Sequence, residues 1–135
     1  MPSSAGKEAL SYDKMGSILT LSRTGTSSAV RDALSYTYTG NRLTKVVDGS
    51  ADATLRHHLP GTTAYTHNVN GNMTSRINGP HSSNNITSIG YNHLNLPTSI
   101  AATGSNSATY VYDATGRKLR SVRSNDSTDY IDGIE

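Results

Sequence analysis

The feature that most constrains the fold is a loose repeat along the chain. Five times, an aromatic or imidazole residue is followed by a short polar turn and then by a strand-like stretch. The clearest copies are YDKMGSILTL, beginning at Tyr12, and YDATGRKLRSV, beginning at Tyr112. The others begin at Tyr38, His67 and Tyr91, so successive starts are 26, 29, 24 and 21 residues apart. Such a period is typical of one supersecondary unit copied along a chain, with each copy covered by its neighbours.

Each copy predicts a β-hairpin with a tight turn. In the last copy, Asp113 can accept backbone hydrogen bonds at the start of the turn, and Gly116 can adopt a positive φ at its end. The copies from Tyr12 and His67 follow the same pattern, with asparagine as the acceptor in the second of them. The positions predicted to be structural are Tyr12, Asp13, Gly16, Tyr38, Gly40, His67, Gly71, Tyr91, Asn95, Tyr112, Asp113 and Gly116.

Two copies depart from this pattern. The turn after Tyr38 is one residue shorter and reaches its glycine at Gly40. After Tyr91 the glycine position holds Asn95, and asparagine tolerates the left-handed conformation better than most residues. Pro97 follows, which predicts an irregular strand, because proline cannot donate a ladder hydrogen bond.

The composition predicts a thin core. Only 33% of the residues are hydrophobic, with 8 Tyr but no Phe and no Trp, and about a third are Ser, Thr or Asn. Simple alternation places Leu43, Lys45 and Val47 on one strand face and Thr44, Val46 and Asp48 on the other, so neither face is purely apolar. We therefore expect an all-β fold, in which tandem β-hairpin repeats form a single curved, spiralling antiparallel sheet. The polar spacers connect the hairpins and are expected to need no structure of their own: 24–32, 48–54, 79–85, 103–107 and 124–128.

No motif predicts an enzyme, a cofactor site or a metal site. The chain has no G-x-S-x-G elbow, no phosphate-binding glycine loop and no cysteine. The adjacent His57 and His58 would point to opposite faces of a strand, and His67 stands where other copies carry tyrosine. The remaining histidines are His81 and His93. The carboxylates Asp126, Asp129 and Asp132 lack the ligand spacing of a calcium loop, so we expect them to cap turns.

Net charge and hydropathy limit the kinds of partner that the sequence predicts. The net charge is only +2, and the one cluster of cations lies in a predicted strand at Arg117, Lys118, Arg120 and Arg123. We interpret this cluster as a solvated face, with no nucleic acid as partner. No apolar run is long enough to cross a bilayer, and residues 1–10 lack the apolar middle of a signal peptide, so we expect no targeting signal within these residues.

The repeated string Y-D-x-x-G, at Tyr12–Gly16 and Tyr112–Gly116, resembles the tyrosine-aspartate (YD) repeat of the Rhs family. This family includes bacterial polymorphic toxins, cocoon-forming subunits of insecticidal toxin complexes, and animal teneurins. The likeness implies an N-terminal tail at 1–8 and five hairpin repeats over 9–128. Residues 129–135 resemble the start of the core-associated segment that closes such arrays.

The resemblance also implies a function. In the family, the repeats wind into a hollow β-shell that keeps a C-terminal toxic domain apart from its producer. This chain would be an open fragment of such a shell, in a parent protein that is secreted or at the cell surface. Its partners would be neighbouring repeats of the same parent chain, or further copies bound through the sheet edges. No D-P-x-G self-cleavage motif occurs in the chain, so autoproteolysis is not implied. The alternative is a carbohydrate or cell-surface binding module that uses exposed Tyr rings.

Overall fold

The computed structural model describes residues 6–25, 29–50, 60–124 and 126–130. His57, His58 and Asp132 lie outside the described residues. The strands are β1 (Glu8–Tyr12), β2 (Ile18–Thr24), β3 (Val30–Thr39), β4 (Arg42–Asp48), β5 (Gly61–His67), β6 (Met73–Asn78), β7 (Ile86–Tyr91), β8 (Pro97–Ala102), β9 (Ser107–Tyr112), β10 (Lys118–Arg123) and β11 (Asp126–Asp129).

The predicted all-β hairpin fold is confirmed. Strands that are consecutive in the chain are hydrogen-bonded neighbours in one sheet, in the order β1 to β11, and the registered pairs are antiparallel. A single 3₁₀ turn at Ser82–Asn84 is the only helical element among the described residues. None of the described helices is long and apolar enough to cross a membrane.

Three of the spacers carry more regular structure than expected. β11 (Asp126–Asp129) lies in the last of them and pairs with β10, and the 3₁₀ turn lies between β6 and β7. β3 begins at Val30, inside the first predicted spacer. Polar sequence was therefore a poor guide here, because a short edge strand needs few apolar side chains.

A β-bulge lies near the start of at least four returning strands, after the first residue in β2, β8 and β10 and after the second in β4, and it overturns the predicted faces of β4. In β1–β2, Tyr12 pairs with Ile18 and Ser11 with Thr20, so Leu19 is an extra residue. The corresponding extra residues elsewhere are Thr44, Thr98 and Leu119. An extra residue reverses the alternation of side chains after it.

The reversal explains why β4 seemed apolar on both faces. Leu43 precedes the bulge and Val46 follows it, yet both belong to one apolar cluster. The prediction that Leu43 and Val46 lie on opposite faces was wrong for this reason. The hydroxyl of Thr44, the bulge residue, donates to the Thr37 carbonyl at 3.0 Å.

The Cα positions divide the chain into two compact units. Unit 1 comprises the described residues up to Tyr65 together with Asn78–His81, and unit 2 comprises Thr66–Ile77 and the described residues from Ser82 onward. Unit 1 has a small apolar core of Leu21, Leu34 and Val46. Tyr36, Leu43 and Tyr65 are partly buried against it. A core this small is expected of a single sheet with a low apolar content.

Two buried polar residues of unit 1 lie at the ends of strands and make hydrogen bonds there. Asp48, at the end of β4, accepts hydrogen bonds from the amides of Ser50 at 2.9 Å and Ala33 at 3.2 Å. Asn78, at the end of β6, donates to the Thr63 hydroxyl at 2.9 Å and accepts from the His81 amide at 3.0 Å. These bonds satisfy polar groups that would otherwise be costly to bury.

Candidate repeat-packing site

Four of the hairpin turns share one hydrogen-bonding arrangement. Each opens with an aspartate or asparagine whose Oδ1 accepts from the amides two and four residues later, at 2.8–3.0 Å. The four residues are Asp13, Asn68, Asn92 and Asp113. One side-chain oxygen thus replaces the backbone acceptors that a tight turn cannot supply. The acceptor is a carboxylate oxygen in two of these turns and an amide oxygen in the other two, with the same geometry.

The backbone closes each of these turns in the same way. The amide of the fourth turn residue donates to the carbonyl of the first at 3.0–3.2 Å. Gly16, Gly71 and Gly116 occupy the fourth position with φ of 88°, 87° and 90°, and Asn95 occupies it with φ of 60°. A side chain is strained near 90°, whereas asparagine fits the left-handed region near 60°. Gly40, in the shorter turn, also has a φ of 60°.

Tyrosine hydroxyls join consecutive hairpins in both units. Tyr38 donates to the carbonyl of Ile18 at 3.0 Å in unit 1. In unit 2, Tyr91 donates to Met73 at 2.7 Å and Tyr112 to Pro97 at 2.9 Å. Every acceptor is the first residue of the returning strand in the preceding hairpin. Three of the tyrosines identified from the repeat therefore bind the backbone of the preceding hairpin. The sequence did not predict this contact.

Two of the five repeat-start residues lack this contact. Within the described residues, neither Tyr12 nor His67 makes a side-chain hydrogen bond. His67 has an imidazole where the others have a phenol, and its ring nitrogens do not extend as far from the backbone as a phenol oxygen. Tyr12 stands on β1, at the end of the strand order, with 56% of its surface exposed.

In unit 2 the turns also contact one another. Asn95 Oδ1 accepts from the side-chain amides of Asn70 at 2.9 Å and Asn72 at 2.7 Å, in the preceding turn. A Cβ at Gly116 would lie 3.1 Å from Leu96 Cδ1, so this glycine also permits a close approach. Asn70 and Asn72 were missed in the sequence because a single asparagine gives no sign of the turn it will face.

Three of the four residues in the cationic cluster at 117–123 make local contacts. Arg117 lies 3.5 Å from the Asp113 carboxylate, and Arg120 pairs with Asp129 on β11. The Lys118 ammonium lies 4.8 Å from the centre of the Tyr110 ring. The expectation that Asp129 caps a turn was wrong, because Asp129 lies in β11 and pairs with Arg120. The hydrogen bond from Arg120 lowers the pKa of Asp129. Asp126 is also in β11.

The described residues contain no group of three or more His, Asp or Glu side chains placed to hold a metal ion. His67 ends β5, the His81 amide binds Asn78, and His93 lies in the turn that begins at Asn92. The interactions among the repeat residues are hydrogen bonds that fix turns and join hairpins. This arrangement supports packing between repeats.

The turn carboxylates give the fold a testable dependence on pH. The Ser17 amide is the main cause that lowers the pKa of Asp13, and the Thr115 hydroxyl is the main cause at Asp113. Because the folded pKa is depressed, this stabilisation is complete above the unfolded value of about 4 and is lost as the pH falls through the folded value.

We expect Asp13→Asn to leave stability at pH 7 nearly unchanged, because Asn68 and Asn92 make the same turn. The variant should lose less stability than the parent chain between pH 5 and about pH 2, since it carries no carboxyl group to protonate. Urea unfolding across this range measures both effects. Asp13→Ala is the matched control, because it removes the acceptor and should destabilise the fold at every pH. Equal losses for the two variants at pH 7 would contradict the assigned role.

No protein-family model matches this chain, and a search of curated proteins finds no significant match.

Proposed function

We propose that this chain is a section of the wall of an Rhs-type repeat shell. Its role is to scaffold an enclosure around a C-terminal toxin or effector region of a secreted or surface bacterial protein. The proposal rests on the repeat pattern in the sequence and on one structural observation. The hydroxyls of Tyr38, Tyr91 and Tyr112 each bind the backbone of the preceding hairpin.

This use of tyrosine favours a wall over a carbohydrate-binding module. A sugar-binding ring needs a free face and free polar groups nearby. The hydroxyls of three repeat tyrosines already donate hydrogen bonds to carbonyls of the preceding hairpin. The Lys118 ammonium lies over the Tyr110 ring. Glycan binding that disappears with Tyr110→Ala or Tyr12→Ala, while the fold survives, would favour the alternative.

Protease protection tests the proposal. The polypeptide from the complete reading frame that contains this chain is expressed and digested with a broad protease. We expect its C-terminal region to be cut at least tenfold more slowly than the same region produced alone. Gly71→Val with Gly116→Val should remove much of this protection, because both positions have φ near 90°. Equal cutting rates for the enclosed and isolated region would contradict a role in enclosure.

A further inference from the structure

The tyrosine contacts between hairpins follow a rule that can be applied to the first strand. The acceptor carbonyls belong to Ile18, Met73 and Pro97, whose side chains have nothing in common. The contact therefore recognises the backbone at a fixed place, the carbonyl of the first residue of a returning strand. Any hairpin with this turn and a returning strand that begins in this way offers the same acceptor.

β1 has the register of a repeat start, and no hairpin precedes it among the described residues. Its register with β2 matches that of β9 with β10 at every equivalent position, from Glu8↔Arg23 and Ala108↔Arg123 to Tyr12↔Ile18 and Tyr112↔Lys118. The flanking bonds also correspond, from the Thr24 amide to the Lys7 carbonyl at 2.9 Å and from the Ser124 amide to the Ser107 carbonyl at 3.1 Å.

The two strands differ in what lies on their other side. β9 pairs with β8, and the Tyr112 hydroxyl binds Pro97 there. Among the described residues, β1 pairs only with β2, all five of its residues are exposed, and the Tyr12 hydroxyl has no acceptor. The edge of β1 therefore combines unpaired strand backbone with a tyrosine at the same register position as Tyr112.

We propose that the outer edge of β1, with the Tyr12 hydroxyl as the group that fixes the register of pairing, is the docking site for another β-hairpin of this repeat type. The returning strand of that hairpin pairs antiparallel with β1, and the carbonyl of its first residue accepts from Tyr12. This inference rests on the proposed wall function and names the partner of one edge of the wall. Continuity with the interface already made by Tyr38, Tyr91 and Tyr112 identifies the occupant.

The test adds a hairpin before β1 within the same chain. A copy of residues 86–106, containing β7, β8 and the following turn, is joined directly to Lys7, which corresponds to Ser107 in the repeat register. Amide hydrogen exchange is then measured on β1. We expect exchange of the β1 amides to slow at least tenfold in the extended chain. In the extended chain, Tyr12→Phe should make the β1 amides exchange about fivefold faster, which is the factor that one ordinary hydrogen bond contributes.

Two matched controls distinguish the effect of the Tyr12 hydroxyl from the general effects of lengthening the chain. Tyr12→Phe in the original chain should change neither stability nor exchange, because its hydroxyl has no acceptor there. An extension of the same composition in scrambled order should leave β1 unprotected. As a second measurement, the copied segment is added as a free peptide, which should shift the NMR signals of Tyr12 and β1 but leave those of Tyr112 unchanged.

Three results would overturn the proposal. One is unchanged exchange of β1 in the extended chain together with no shift on adding the peptide. Another is an equal effect of Tyr12→Phe in the original and extended chains. The third is protection of β1 in the original chain that rises with concentration, which would identify a second copy as the occupant. The readout concerns β1 alone, so it can fail while the protease test of enclosure succeeds, and the reverse also holds.

Discussion

Leu34→Ala should destabilise unit 1 by about 3 kcal/mol, a loss typical of removing a buried leucine side chain. Leu34 is only 5% exposed and belongs to the same small cluster as Leu21 and Val46. Such a loss is a large part of the stability of a small domain. Urea unfolding, followed by hydrogen exchange on β2, β3 and β4, measures the effect.

A matched control separates burial from residue type. Leu19 is 39% exposed in the neighbouring strand, so Leu19→Ala should cost less than about 1 kcal/mol. In a repeat architecture, stability is the sum of local terms and nearest-neighbour terms. We therefore also expect the amides of β9 and β10 to keep their exchange rates in Leu34→Ala. Equal destabilisation by both substitutions would show that the cluster does not act as a core.

The hairpins could be predicted from sequence because turn chemistry is local. An aspartate or asparagine followed three residues later by glycine already defines the hydrogen bonds and the positive φ that the turn requires. Gly16, Gly71 and Gly116 show this directly, and Asn95 shows the tolerated exception. The hairpins then fix the class of fold, since each needs neighbours to pair its outer strands.

The bulges and the contacts between hairpins could not be predicted in the same way. A bulge near the start of a returning strand depends on the register of two strands, and the extra residues Leu19, Thr44, Thr98 and Leu119 share no single residue type. The acceptors of the tyrosine hydroxyls are backbone carbonyls, which leave no trace in the sequence. Likewise, Asp48 and Asn78 become buried only after distant strands have met.

One compositional signal nevertheless pointed to these contacts. The chain has 8 Tyr and no Phe, although the two rings fill similar space. A site that needed only an aromatic ring would accept either residue, whereas a hydrogen bond to a carbonyl requires the phenol. The observed bonds of Tyr38, Tyr91 and Tyr112 give this preference a physical cause.

Replacing these phenols should therefore lower the free energy of unfolding in proportion to the number of hydroxyls removed. We expect Tyr38→Phe to destabilise unit 1 by about 1 kcal/mol, and Tyr91→Phe with Tyr112→Phe to destabilise unit 2 by about 2 kcal/mol, because each change leaves a carbonyl without its donor. Tyr12→Phe is the internal control and should have no effect, since its hydroxyl has no acceptor. Urea unfolding with unit-specific hydrogen exchange distinguishes the four positions. If Tyr12→Phe were as destabilising as the others, the hydroxyls would not be what joins one hairpin to the next.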